Sequence, residues 1–297
     1  MPTNNHLTQL LRDNPNIQLA YITHEQNASA LILHQTEGTP VTALRIPSQL
    51  ADIPAEIKPT QPITTLRLPA TRHDALNKQQ LCQNEPIQLG TQCQPAGAQW
   101  LGTAGAPCHW LDSQSHDVYG VLSNWHVIAD GTTGPGHPQH QPDDRSPAFA
   151  HLSDAQPVSP TETNYVDGAI ADAMIDGLHT IDKRIIEVGT VAPDPAQIAV
   201  GLSVKKSGRT TGLTHGKVSA IGASARVSYG GFTATFEDQI IVTDVGGSFS
   251  AAGDSGSFVV CTDANRPVGL LFAGGGGTTV LNPIHRVMDR FQIDFRF

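Results

Sequence analysis

A serine set between glycines, in Gly253-Asp254-Ser255-Gly256-Ser257, has the surroundings of an exposed nucleophile. Glycines let the chain turn sharply. The amide N–H groups of Gly253 and Ser255 can then converge on the oxygen of an acyl group under attack, an oxyanion hole. Taken alone, the pentapeptide is equally a Gly-rich β-turn with a capping Asp and Ser. A serine hydroxyl is a weak nucleophile until a base takes its proton. His126, in Leu122-Ser123-Asn124-Trp125-His126-Val127-Ile128-Ala129, is the candidate base, reached through an apolar stretch. A third group must orient the imidazole and stabilise its cation. Asp167, in Asn164-Tyr165-Val166-Asp167-Gly168-Ala169-Ile170-Ala171, leads into an apolar run, and Asp172 at the end of that run is its rival. The plain alternative for either acid is a solvated carboxylate at a strand end.

Together the blocks run in the order His, Asp, Ser, which separates them from the orders of subtilisin and the α/β-hydrolases. Ser-Asn-Trp-His-Val, Val-Asp-Gly-Ala-Ile-Ala and Gly-Asp-Ser-Gly-Ser resemble the three catalytic blocks of the chymotrypsin-like (trypsin-like) serine peptidases, across residues 97–297. Lys205–Thr214, Phe249–Ser257 and Val268–Gly274 are similar to a bacterial branch that also includes the plant narrow-leaf trypsin-like proteins. Residues 45–56 are more weakly similar to that branch's N-terminal extension. The resemblance implies a mainly β fold, a double β-barrel, and a serine endopeptidase acting on protein or peptide through an acyl-enzyme without cofactor or metal. His126 would be base and then acid, Asp167 the orienting group, and Ser255 the nucleophile. It also implies a primary pocket formed by Phe249, Ser250, Phe272, Ala273 and Gly274. With Phe249 where other members carry an acid, that pocket should take an apolar or small side chain.

The sequence departs from the family in two places. Val127 follows the histidine where animal members have a disulfide-bonded cysteine. No Arg/Lys-Ile-Val-Gly-Gly activation site is visible, so Asp254 is expected to bond locally rather than to a freed N-terminus. Two other readings use the same residues: a binding or scaffold protein with a dormant protease site, and an esterase.

The elements that must position these residues are short. Tyr119–Leu122, Val218–Ile221, Ile240–Val242, Phe258–Val260 and Val268–Phe272 are apolar runs bounded by turn formers, the pattern of a barrel. Ile284, Val287, Met288 and Phe291 share one face of a closing helix. Residues 1–95 read differently: Leu7, Leu10 and Leu11 at helical spacing, then short runs at Ile17–Ile22, Ala30–Leu33, Val41–Ile46 and Ile63–Leu68 broken by prolines. This predicts a small N-terminal α/β module, with a polar linker over 73–96 and the peptidase domain over 96–297. The module would buttress the barrels, and it offers a surface for a regulatory partner or a second copy of the chain. Gly131 to Val158 reads as a long loop. Within it His137, His140, Asp143 and Asp144 could ligate zinc by type, but the prolines deny them a helical face, and a solvated loop is the expectation.

Composition narrows the rest. The 297 residues are long enough to bury a core without disulfides or metal. Charged residues are 15%, well below the roughly 25% of an average domain, and Gly (28) and Pro (21) are frequent, as many short strands and turns require. A net charge of −9 without a basic cluster argues against nucleic-acid binding. No run approaches the ~20 apolar residues of a membrane helix. The start Met1-Pro2-Thr3-Asn4-Asn5-His6 has no basic segment followed by an apolar one, so no secretory signal is visible and a cytoplasmic location is expected. Cys82, Cys93, Cys108 and Cys261 are then expected to be free thiols.

Overall fold

The computed structural model describes residues 4–25, 28–39, 44–69, 86–130, 133–173 and 181–296. Cys82 and most of the expected linker lie outside the described residues.

The second half of the chain closes into a barrel. Gly212–Ser228 pairs antiparallel with Ser203–Gly208 on one side and Thr233–Asp244 on the other. The order continues through Thr278–Pro283, Pro267–Gly275 and Phe258–Cys261 back to Ser203–Gly208. These strands alternate poorly because several are buried on both faces; Phe258–Cys261 and Thr278–Pro283 are buried at every position. The first barrel is an eight-stranded sheet ordered Leu68–Pro69, Trp100–Ala104, Thr91–Pro95, Pro138–His140, Ala148–Ala155, Ala169–Asp172, Asp117–Ser123 and Ala106–Leu111. The expected helix forms over Ile284–Phe291, with Ile284, Val287 and Phe291 buried. No helix among the described residues is long and apolar enough to cross a membrane.

The N-terminal residues form the expected helix, Asn4–Asp13, on strands Ile17–Glu25 and Ala28–Thr36, with Ala55–Thr60 parallel to the second. Leu7, Leu10 and Leu11 pack with Ile17, Leu31, Leu33 and Leu50. This unit shares a sheet with the second barrel, through Leu19 opposite Ala225 and Ala20 opposite Ser224. Arg226 donates to the Pro15 carbonyl (2.7 Å) and Thr8 Oγ1 lies 3.0 Å from Ser224 Oγ. In the expected run 41–46, the described residues 44–46 carry no strand.

Two expectations need correction. The stretch read as linker over 73–96 holds the strands Ile87–Leu89 and Thr91–Pro95, and the second lies inside the first barrel's sheet. Its polar composition does not mean exposure, because its glutamines are buried and satisfied: Gln92 donates to the Pro142 carbonyl (2.9 Å) and accepts from Arg209 Nε (2.9 Å), and Gln94 donates to the Ala98 carbonyl (2.5 Å). The loop read over 131–158 contains an antiparallel pair, Pro138–His140 and Ala148–Ala155.

A consequence follows for truncation. Residues 91–95 are fully buried between Trp100–Ala104 and Pro138–His140. A fragment of residues 96–297 exposes both neighbours as unpaired edges. We expect it to be insoluble or to lack a cooperative thermal transition by circular dichroism; a soluble fragment melting sharply would contradict this placement.

Candidate active site

The sheet register brings His126 and Asp167 together. Ser123 stands opposite Ala169 where the antiparallel strands Asp117–Ser123 and Ala169–Asp172 meet. The chain leaves one strand into the single helical turn Trp125–Ile128 at the point where Asp167 enters the other. His126 Nδ1 donates to Asp167 Oδ2 at 2.6 Å, and the His126 backbone N–H donates to Asp167 Oδ1 at 3.2 Å. An ionised carboxylate can only accept, so this contact sets the tautomer and leaves Nε2 free to accept. Ser255 Oγ is 2.8 Å from Nε2. Asp172 ends its strand opposite Gly120 and His151, away from this group. All three site residues are fully buried.

Asp167 has further partners. Tyr229 Oη donates to Oδ2 at 2.7 Å, Asn124 Nδ2 donates to its backbone carbonyl at 2.7 Å, and its N–H donates to Asn282 Oδ1 at 3.0 Å. Burial, reinforced by the Asp167 charge, pushes the Tyr229 phenol well above its ordinary value, so it remains a donor. Its ring stacks on Phe232 and meets the His126 ring edge-on at 5.8 Å. Neither Tyr229 nor Asn282 sits in a recognisable motif; Asn124 adjoins the histidine block and could have been suspected. Tyr229→Phe should keep the stacking and lower kcat about 10–100-fold, the worth of one hydrogen bond to a buried charge. Unchanged steady-state kinetics would show the hydroxyl to be idle.

Ser255 lies on the turn before Phe258–Cys261. That turn spans both barrels: Ser255 O accepts from the Thr103 amide (2.8 Å) and Gly253 O from Thr103 Oγ1 (2.9 Å). Gly253 has φ +103°, and a Cβ there would lie 2.2 Å from Thr210 Oγ1, so the turn requires glycine. Asp254, expected to bond locally, is satisfied within its own barrel, but apart from Ala251 its partners lie more than forty residues away in sequence. It accepts from the amides of Thr210 (2.8 Å), Thr211 (3.2 Å) and Ala251 (2.9 Å), and pairs with buried Lys206 at 3.5 Å. Burial pushes the Lys206 ammonium down, and the Asp254 carboxylate works against that shift. A charge within the barrel thus holds the turn. Removing one partner of a buried pair leaves the other uncompensated, at a cost of about 3–5 kcal/mol. Lys206→Met should therefore lower the thermal midpoint sharply; a midpoint within a degree or two of wild type would mean the pair contributes little.

The amides expected to form the oxyanion hole do converge on one oxygen, the backbone carbonyl of Leu66. Gly253 N–H and Ser255 N–H both donate to it, the second at 3.4 Å. The Leu66 N–H donates to the Phe272 carbonyl at 3.3 Å. Its side chain is buried with Phe249, Val218, Ile240, Val242 and Leu271. A Cβ added at Gly274 would lie 3.2 Å from Leu66 Cδ1 and 3.3 Å from Ser250 Oγ. Phe249, Ser250 and Gly274 are thus gathered around one apolar side chain. Phe272 and Ala273 are used differently. The Phe272 ring packs on Phe236 (4.7 Å between centroids) in the other core cluster, and only its carbonyl faces the site. Ala273 pairs through its backbone with Thr65. The sequence carried no sign of Leu66.

His137 and His140 each meet a backbone carbonyl, Ala96 O at 3.1 Å and Ser146 O at 2.7 Å. Among the described residues, no three His, Cys, Asp or Glu side chains group as a metal site would need.

Residues 166–285 match the protein family described as the Nal1 C-terminal domain, a stretch that holds Asp167 and Ser255 but begins after His126. No curated protein sequence matches significantly. Among solved structures, the chain is similar to an α-lytic protease homologue, N4, at 18% identity over 71% of this chain and 99% of that one, TM-score 0.52. It is similar to the Nocardiopsis protease NAPase at 17% identity over 71% and 98%, TM-score 0.51. A glutamic-acid-specific serine protease aligns at 18% identity over 70% and 99%, TM-score 0.50. The fold is that of the chymotrypsin-like proteases, and the likeness to the narrow-leaf proteins read from the sequence is matched by the family found.

Proposed function

We propose that this chain is a serine endopeptidase that hydrolyses peptide bonds following an apolar residue of about leucine size. The observation that carries this reading is the assembly of four parts at the turn around Ser255. These are the Ser255 hydroxyl, the His126 Nε2 within 2.8 Å of it, the Asp167 carboxylate behind the ring, and two backbone N–H groups meeting at a single acyl oxygen. Ser255 Oγ attacks the carbonyl carbon as His126 takes its proton. The imidazolium is held by Asp167, and the oxyanion by the amides of Gly253 and Ser255. His126 then returns the proton to the leaving amine, and water hydrolyses the acyl-enzyme by the same route.

Peptide rather than small-ester chemistry is supported by the edge of Pro267–Gly275, where Thr64 and Thr65 pair with Gly274 and Ala273. A site that pairs main chain to main chain recognises an extended polypeptide. We extend the proposal to a cytoplasmic location and to a scaffold role for the N-terminal residues that precede the first barrel's own strands, since Leu68–Pro69 and Thr91–Pro95 belong to that barrel. The buried Cys93, Cys108 and Cys261 are free thiols, compatible with a reducing compartment. Burial pushes the Cys93 thiol up to about 12, so it is inert at neutral pH.

The test is a peptide-library digest by the purified chain beside its Ser255→Ala variant. Cuts after leucine and similar apolar residues, missing from the variant, are expected. Hydrolysis confined to acyl esters would replace the peptidase by an esterase, and no turnover above the variant would leave a dormant site.

A further inference from the structure

The segment that enters the cleft is the chain's own. Residues 63–69 cross it in extended form and are held on both sides of a single peptide bond. On the N-terminal side, Thr64 and Thr65 pair antiparallel with Gly274 and Ala273. On the C-terminal side, Leu68 and Pro69 pair antiparallel with Leu101 and Trp100 of the first barrel. Between them Leu66 places its side chain in the apolar pocket and its carbonyl oxygen on the amides of Gly253 and Ser255. Arg67 follows, its guanidinium 2.6 Å from Asp130 Oδ2 and 4.8 Å from the centroid of the Trp100 ring. An ion pair, a cation–π contact and two stretches of backbone pairing thus fix the Leu66–Arg67 bond across the junction of the barrels. Neither residue of that bond is a proline, so the bond is an ordinary secondary amide and the leaving group a primary amine.

We infer that the Leu66–Arg67 peptide bond is a substrate of this chain's own Ser255, and that the protein matures by cutting itself there. The inference rests on the peptidase reading above. Ser255 Oγ forms a bond to the Leu66 carbonyl carbon and gives its proton to His126. The C–N bond to Arg67 breaks, and His126 delivers that proton to the departing amine. Water then attacks the Leu66 acyl-enzyme and restores the serine hydroxyl. The products are a Leu66 carboxylate and an Arg67 amine, with no reactant other than water. Because Ala55–Thr60 on one side and the Leu68–Pro69 pairing on the other tether the segment, the attack is intramolecular and enjoys the rate advantage of a held geometry. Residues 4–60 keep their sheet pairing and their helix contacts after the cut, so both pieces stay together. The absence of an activation sequence at the usual place is then explained: the ion pair of Lys206 with Asp254 already holds the turn, and the event that opens the cleft lies in the N-terminal region.

The experiment compares full-length wild type, Ser255→Ala and Leu66→Asp by intact mass spectrometry and N-terminal sequencing. Wild type should give two chains with Arg67 as the new N-terminus, co-eluting on gel filtration and separating under denaturing conditions. The rate should be first order and unchanged by dilution. Ser255→Ala should remain one chain of 297 residues. Leu66→Asp, which sets a carboxylate in an apolar pocket, should slow the cut by about 100-fold or more, with the circular dichroism spectrum retained. A wild-type chain that stays whole while Ser255 reacts with a fluorophosphonate would overturn self-cleavage and leave the peptidase reading standing. A whole chain whose peptide turnover rises in Leu66→Asp would show the segment to be an inhibitor only and overturn it likewise. A new N-terminus elsewhere, or cutting that persists in Ser255→Ala, would also overturn it. If wild type stays whole and Leu66→Asp, with its cleft vacated, takes no fluorophosphonate, both readings fall together.

Discussion

Ser255→Ala is expected to abolish labelling by a fluorophosphonate and to reduce peptide turnover by about 10⁴-fold or more, with the fold unchanged. In the proposed reaction the hydroxyl oxygen forms the new bond, and members of a triad act as a unit, so losing one forfeits most of what all three supply. His126→Ala should match it in size for the same reason. The fold should survive because the contacts that hold the turn are made by the backbone of Ser255 and by its neighbours: Thr103 donates to Ser255 O, Gly256 to Leu271 O, and Asp254 collects three amides. The side chain's own hydrogen bonds among the described residues are to His126 Nε2 and the Phe272 carbonyl, at 2.8 and 3.1 Å. Thermal melts of variant and wild type should therefore coincide. Labelling that persisted in the alanine variant would remove Ser255 from the nucleophile's role.

Asp167→Asn is expected to lower kcat by about 10⁴-fold, while Asp172→Asn should be mild. An asparagine at 167 can present an N–H to the imidazole, which favours the tautomer with its proton on Nε2, where it cannot accept from the serine. It also removes the charge that offsets the imidazolium in a fully buried site. Tyr229 already donates to Oδ2, so the amide would have to satisfy both neighbours with one acceptor and two donors. Asp172 lies at a strand end, out of reach of the ring, and its substitution perturbs only that edge. Measured kcat values for the two variants separate the assignments; a severe loss at 172 with a mild one at 167 would reverse them.

How much was legible in the residues follows the range of the physics involved. The turn around Ser255, the helical turn at His126 and the acid before Ala169–Asp172 are each set by neighbours a few positions away, so short blocks reveal them. The alternation of apolar runs with turn formers likewise announced barrels, and the spacing of Ile284, Val287 and Phe291 announced the last helix. Burial of amides defeated the same approach at Gln92 and Gln94, because a polar composition says nothing of partners supplied by Pro142, Arg209 and Ala98. Tyr229 and Asn282 join the site through contacts that span dozens of residues, and no local pattern marks them; Lys206 lies in a block that resembles the family's, but its pairing with Asp254 is equally distant in sequence. The same holds for Leu66: its short apolar run reads as one more strand, and only the sheet edges of both barrels, brought side by side, make of it an occupant of the cleft. The sequence alone determined which groups can do the chemistry, since that depends on residue type and local turn. Tertiary structure decided which peptide bond lies before them, since that depends on register between strands far apart in the chain.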